Sequence, residues 1–230
     1  MSIEQLREVS DLARQGYDEV RRRCPDLPAL GGCLLLGRHY AHPASRVLFL
    51  GLNPGGADTK MDVGVQVHNY LLEGPRDAIY WTNARKFFSC SRTLTSLFST
   101  ATFSFCCPYR TSDWINLADD HQRVLIGRSR PVLRQIIADC RPALIVVAGR
   151  TSLDILEEEM LRPEWYLTKV LSATGSGIYQ WAAHRGSYQD RDLLIAQVPH
   201  FSRANSMPLL QECAMWLEQT VRASLPELLE

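Results

Sequence analysis

Lysine is scarce in this 230-residue sequence: Lys60, Lys86 and Lys169 are the three present, and arginine supplies the remaining basic side chains. Basic and acidic residues balance at 25 each, so no net field gathers a polyanion. That excludes a high-affinity, sequence-blind nucleic-acid coat, though not a local patch. Long apolar runs are missing as well. Val47–Leu50 and Ala143–Ala148 fall far short of the roughly 18 residues that a membrane span needs. There is no Cys-x-x-Cys pair, and Cys106 and Cys107 are adjacent, a poor geometry for sharing one tetrahedral metal. His39-x-x-His42 lacks a nearby carboxylate and runs into Pro43, so a loop is expected there and no metal is expected in the protein. The cysteines number seven, an odd count, which reads as reduced thiols. Glu4, Glu8, Asp11 and Glu19 stand where a secretory leader would be apolar, and a cytoplasmic address is expected.

What the sequence does contain is an alternation of two periods. Residues 2–23 carry Leu6, Val9, Leu12, Ala13, Tyr17 and Val20 at helical spacing behind a Ser2/Gln5 capping box, and Pro25 and Pro28 end the run. Four short, mainly apolar segments follow, Arg46–Gly51, Thr102–Cys107, Ala143–Ala148 and Asp192–Val198, of which the first and third are continuous apolar runs. Such runs suit strands buried on both faces of a parallel sheet. Helical patterns at Asp119–Cys140, Thr151–Leu161 and Ser206–Ser224 fill the gaps, with a break or fresh first turn expected at Pro131. Trp81, Phe87 and Phe88 lie at helical spacing and read as core, and Asp113 and Asn116 as caps for the following turn. Arg123, Arg130 and Arg134 read as a solvated helix face, and residues 166–191, which include Ser172–Gly177, as a hairpin or loop excursion. The expected fold is α/β, a three-layer αβα sandwich around a central four-stranded parallel sheet. One domain spans 1–230, with 1–40 as an N-terminal helical extension.

Ligands of open parallel sheets gather at the carboxyl ends of the strands. Two of those ends are chemically unusual here. The first strand runs into Gly51-Leu52-Asn53-Pro54-Gly55, and the fourth into His200-Phe201-Ser202-Arg203. Gly51 and Gly55 let a backbone approach a ligand closely. Asn53 offers an amide that holds a water or a ligand edge without titrating. His200 can donate to a developing anion. Singly, each motif is also ordinary turn or structural chemistry.

Taken together, the two motifs resemble those of the uracil-DNA glycosylase superfamily. Its mismatch-specific and single-strand-selective branches carry Gly-x-Asn-Pro-Gly, and several branches have His-Pro-Ser as the second motif. Cys107-Pro108 is similar to the Cys-Pro of the single-strand-selective branch, and Ser129–Gly149 to the stretch that leads into the family's third strand. The likeness covers about Arg46 to Asn205 and leaves the first helix outside. Three departures accompany it. Ser129 stands where the iron–sulfur branches have a cysteine, which implies that no cluster is held and that Cys106 is a bystander. The asparagine that reads uracil on the second strand has no counterpart in Thr102–Cys107, where Phe105 and Cys106 occupy its neighbourhood. Phe201 replaces the usual proline.

The resemblance implies cleavage of an N-glycosidic bond in DNA. Such an enzyme extrudes a base from the stack, stabilises its departing anion and places a water near the sugar. Carried over, Asn53 would position the water and His200 would take the anion. Gly51, Leu52, Pro54 and Gly55 would line the base site, Tyr70 or Phe105 would stack on the base, and Ser202 and Arg203 would touch phosphates. The partner would be DNA with a flipped base, and no cofactor is called for. Two rivals stay open. One is a module that binds nucleic acid or a free base on the same fold without cleaving it, favoured by the absent strand-two amide and the neutral charge. The other is a hydrolase of small nucleotides.

Overall fold

A computed structural model describes residues 3–27, 30–34, 36, 39–42, 46–54, 61–62, 79–111, 114, 116–160, 167–174, 177–188, 191–204 and 206–229. All four apolar segments are strands. They are β2 (Val47–Gly51), β4 (Thr102–Phe105), β6 (Leu144–Ala148) and β9 (Arg191–Val198). Every residue of β2 and β6 is buried, as their unbroken apolarity predicts. The four run parallel in the order β4-β2-β6-β9, with Leu48 opposite Thr102 and Ile145, and Ile145 opposite Ile195.

The sheet is larger than the expected four strands. It has six, because β7 (Leu167–Thr174) and β8 (Gly177–Tyr188) form a hairpin whose second strand adds antiparallel to β9. A hairpin is thus the correct reading of 166–191, and the sheet is mixed. A second, three-stranded sheet joins β1 (Gly31–Cys33) to β3 (Met61–Asp62) and β5 (Tyr109–Arg110), strands too short for any periodicity to reveal.

Helices cover both faces of the large sheet. Side chains alternate across it: Leu48, Leu50, Ile145, Val147 and Ile195 enter one core, while Val47, Phe49, Val146, Ala196 and Val198 enter the other. The first core is closed by α1 (Ile3–Arg23), α4 (Asp119–Cys140) and α5 (Arg150–Met160). The second is closed by α2 (Ile79–Ser89), α3 (Arg92–Ser99) and α6 (Met207–Ser224). Helix α1 is no loose appendage. Val9, Ala13 and Val20 are fully buried against Leu125, Val132 and Ile136 of α4, and burial of each valine contributes roughly 1.5–3 kcal/mol.

Local expectations fare unevenly. Pro131 neither breaks α4 nor restarts it, and the helix is continuous through it. The missing amide costs about 3 kcal/mol in a helix interior, which the buried stripe Leu125–Val132–Leu133–Ile136–Ile137 offsets. Asn116 is not the cap of α4: Ala118 holds that position with no side-chain cap bond, and Gln122 Nε2 donates instead to the carbonyls of Trp114 and Leu117. Asp113 and Ser2 lie outside the described residues. Phe87 and Phe88 are buried as expected, whereas Trp81 is half-buried at the margin of its core. On the arginine face, Arg123 pairs with Asp120 at 2.7 Å and Arg130 with Glu158 at 3.7 Å. No described helix is long and apolar enough to cross a membrane.

Candidate functional site

At the carboxyl end of β2 the chain leaves the sheet at Gly51 and turns through Leu52, Asn53 and Pro54. Ladder bonds fix this turn beyond the strand proper. Cys106 N–H donates to the Gly51 carbonyl at 2.8 Å and Cys107 N–H to that of Leu52 at 2.9 Å. Leu52 packs down onto the α1/α4 core and Pro54 is buried, which leaves Asn53 half-exposed at the crest. Gly51 is required for a specific reason: a Cβ there would stand 2.9 Å from Phe105 Cδ1 and 3.4 Å from the hydroxyl of Tyr80. Phe105, the last residue of β4, is buried directly against this backbone.

Two strands along the sheet from β2, β9 delivers His200. Its turn is pinned from both ends. The Phe201 ring is wholly buried, stacked on Phe49 with centroids 6.0 Å apart, and the Phe201 carbonyl accepts a 2.8 Å bond from Asn83 Nδ2 of α2. Arg203 and Ala204 N–H both donate to the His200 carbonyl. Phenylalanine at this position is therefore an anchor into the aromatic core. From β6, Gly149 (φ +90°) passes under the imidazole, and a Cβ there would lie 3.3 Å from His200 Cβ.

Burial first, and the nearby Arg203 guanidinium second, hold His200 below the ordinary histidine range, so the ring favours its neutral form. Nδ1 and Ser202 Oγ are 2.6 Å apart. A neutral ring that accepts the Ser202 proton at Nδ1 carries its own proton on Nε2 and presents a donor there.

Between the two strand ends stands Tyr80, in the first turn of α2. Its ring centroid is 5.2 Å from that of His200. Its oxygen faces the side of Gly51 on which a Cβ would stand. One side chain thus bridges the Asn53 turn and the His200 turn. Sequence reasoning passed over Tyr80, because in an aromatic-rich helix beside Trp81 nothing sets it apart from core.

Of the predicted site residues, Gly51, Leu52, Asn53, Pro54, Phe105, His200, Ser202 and Arg203 all lie at the carboxyl ends of β2, β4 and β9. Gly55 and Tyr70 fall outside the described residues. Ser202 engages the imidazole, and Arg203 is exposed beside it.

The positions that a metal cluster would use are otherwise employed. Ser129 Oγ donates to the Leu125 carbonyl at 2.7 Å, and the buried Cys106 thiol points at the Ser152 carbonyl at 3.6 Å. Burial pushes the Cys107 thiol up to about 11, so it is protonated at neutral pH. Among the described residues no group of three His, Cys, Asp or Glu side chains converges on one point. No protein-family model matches the chain, and no curated protein matches it in sequence.

Proposed function

We propose that the protein hydrolyses the N-glycosidic bond of a damaged or deaminated base in DNA. The observation that carries this reading is the placement, at the carboxyl ends of two parallel strands of one sheet, of a non-titrating amide turn at Asn53 and a neutral imidazole at His200, with Phe105 packed against Gly51. In this reading the bond between the sugar C1′ and the base nitrogen breaks with its electron pair going to the base. His200 donates a hydrogen bond to the resulting anion, and Asn53 orients the water that adds to C1′. Asparagine accepts no proton, so turnover is slower than with a carboxylate in that place. Phe105 offers a face for the extruded base, and Arg203 a phosphate contact.

A panel of single- and double-stranded oligonucleotides bearing uracil, hypoxanthine, xanthine or mismatched thymine tests it through abasic-site formation. Asn53→Ala and His200→Ala are expected to lower turnover, the latter by roughly a hundredfold or more, with DNA binding retained. Arg203→Ala is expected to weaken binding and reduce its salt dependence. An active preparation indifferent to both Asn53→Ala and His200→Ala would sink the assignment. The strand-two position, filled by buried Phe105 and Cys106 without an amide, favours a second reading in which the site binds a base without cleaving it. Binding without any abasic product, weakened by the same two substitutions, would select that second reading.

A further inference from the structure

Four other tyrosines have described side-chain contacts, and each hydroxyl has an acceptor. Tyr17 donates to the Leu30 carbonyl at 3.3 Å, Tyr40 to the Asp139 carboxylate, Tyr109 to the Arg128 carbonyl at 3.0 Å and Tyr188 to the Arg134 carbonyl at 3.5 Å. Tyr80 differs. Its oxygen is closed off from solvent and has no hydrogen-bond partner among the described residues. An unsatisfied buried hydroxyl is costly, and packing alone gives no reason to keep it. The rings around Tyr80 belong to a core built on Phe49, Phe87, Phe88, Phe103 and Phe201, where phenylalanine would serve without that cost.

The neighbours of the hydroxyl are those of the candidate site. Gly51 lies against it, Phe105 lies against Gly51, and the His200 ring packs on the tyrosine ring. Asn53 and His200 are half-exposed, whereas the Tyr80 oxygen lies beneath them, closed off from solvent. We propose that the Tyr80 hydroxyl reads the base, donating a hydrogen bond to a carbonyl oxygen of an oxo-base held against Phe105 and His200. It would fill the part that the missing strand-two amide leaves open. This rests on the base-excision reading above and adds the residue that selects the substrate.

The chemistry is consistent. Burial raises the phenol well above its ordinary range, so the oxygen keeps its proton and presents a donor at neutral pH. A carbonyl that gains negative charge as the base departs strengthens such a bond. An exocyclic amino group in the same place can only donate to the phenol oxygen, which turns the O–H away and forgoes the bond that strengthens as charge gathers on the base, so uracil is preferred to cytosine and hypoxanthine to adenine.

Three measurements on wild type and Tyr80→Phe test this: denaturant unfolding, binding of free uracil and free cytosine by calorimetry, and cleavage of a uracil-containing oligonucleotide. Removing an unpaired hydroxyl is expected to leave stability unchanged or raised. The preference for uracil over cytosine is expected to fall by about tenfold. The assignment is overturned if Tyr80→Phe loses stability, which marks the hydroxyl as structural, if the preference is untouched, or if wild type binds neither base. Uracil binding that depends on the hydroxyl, in a protein that cleaves no oligonucleotide, would remove the excision reading and keep Tyr80 as the reader. Cleavage with the full preference retained in Tyr80→Phe would do the reverse.

Discussion

On the face of the sheet covered by α1, α4 and α5, the buried aromatic side chains are Tyr17, Tyr40, Tyr109 and Trp114; on the face covered by α2, α3 and α6 they are six phenylalanines and Trp181. The two compositions do different work. A buried tyrosine must place its oxygen on an acceptor, so each one ties two elements at a fixed point. Tyr109 locks β5 onto α4 at Arg128, and Tyr40 locks the loop after β1 onto Asp139. Phenylalanine rings make no such point contact and hold their neighbours by shape alone. The His200 turn hangs from that second face through Phe201, whereas Leu52, Cys106 and Cys107 rest on the first. One half of the candidate site is therefore pinned by a polar-tipped core and the other by a phenylalanine core together with the Asn83–Phe201 hydrogen bond. A packing defect on the phenylalanine face should reach the His200 turn, and one on the tyrosine face should not.

Phe201→Ala tests the first half of that statement. It empties a fully buried ring site beside Phe49 and Phe87, and unfolding free energy is expected to fall by about 3–5 kcal/mol. The His200 ring resonances should move with it. A large loss of stability with an undisturbed His200 would show that backbone bonds, not the phenylalanine core, hold the turn. Gly16→Ala tests the other face. The added Cβ would sit 1.9 Å from Tyr109 Oη and 3.0 Å from the Arg128 carbonyl, two atoms already bonded to each other. Such overpacking is expected to cost about 1–3 kcal/mol, with His200 resonances unchanged. Movement of those resonances in Gly16→Ala would break the distinction between the faces. Gly149→Ala acts at the site itself. At φ +90° a side chain is strained by roughly 1–2 kcal/mol, and the new methyl presses on His200, so the imidazole signals should shift despite a modest stability loss.

How much of this was legible in the sequence follows from the same physics. The four parallel strands announce themselves because burial on both faces leaves no polar residue in β2 or β6, and α1 because its apolar spacing is uninterrupted. The turn residues Asn53 and His200 stand out because they follow such strands. Other features have no local signature. The β7–β8 hairpin joins the sheet through an edge pairing that only tertiary structure decides, and β1, β3 and β5 are too short to show a period. Pro131 misleads because a local rule about helix interiors is outweighed by the packing of α4. Tyr80 is hidden for a different reason. In the sequence it is one more aromatic in α2, and its distinction is the lack of an acceptor, a property of its surroundings.

The smallest effect expected lies in pH, and it compares the two faces through their histidines. His184 of β8 and His200 are both held below the ordinary histidine value, first by burial and then by a neighbouring guanidinium, Arg150 for His184 and Arg203 for His200. The folded chain therefore binds fewer protons at these rings than the unfolded chain does once pH falls below about 6.5. The stability they contribute is complete above that value and is lost as pH drops toward their folded values. Comparison of wild type with single-histidine variants by denaturant unfolding between pH 7 and pH 5 isolates this, since Glu218 is shifted down and Glu157, raised by burial, is common to every variant. His184 is almost fully buried and His200 only half so. His184→Gln should accordingly flatten the acid slope more than His200→Gln. Activity should divide them the other way, lost in His200→Gln and kept in His184→Gln. Stability that rises as pH falls through this window would mean that both rings are protonated in the fold. A neutral donor at His200 would then be untenable, and the departing anion would meet an imidazolium instead.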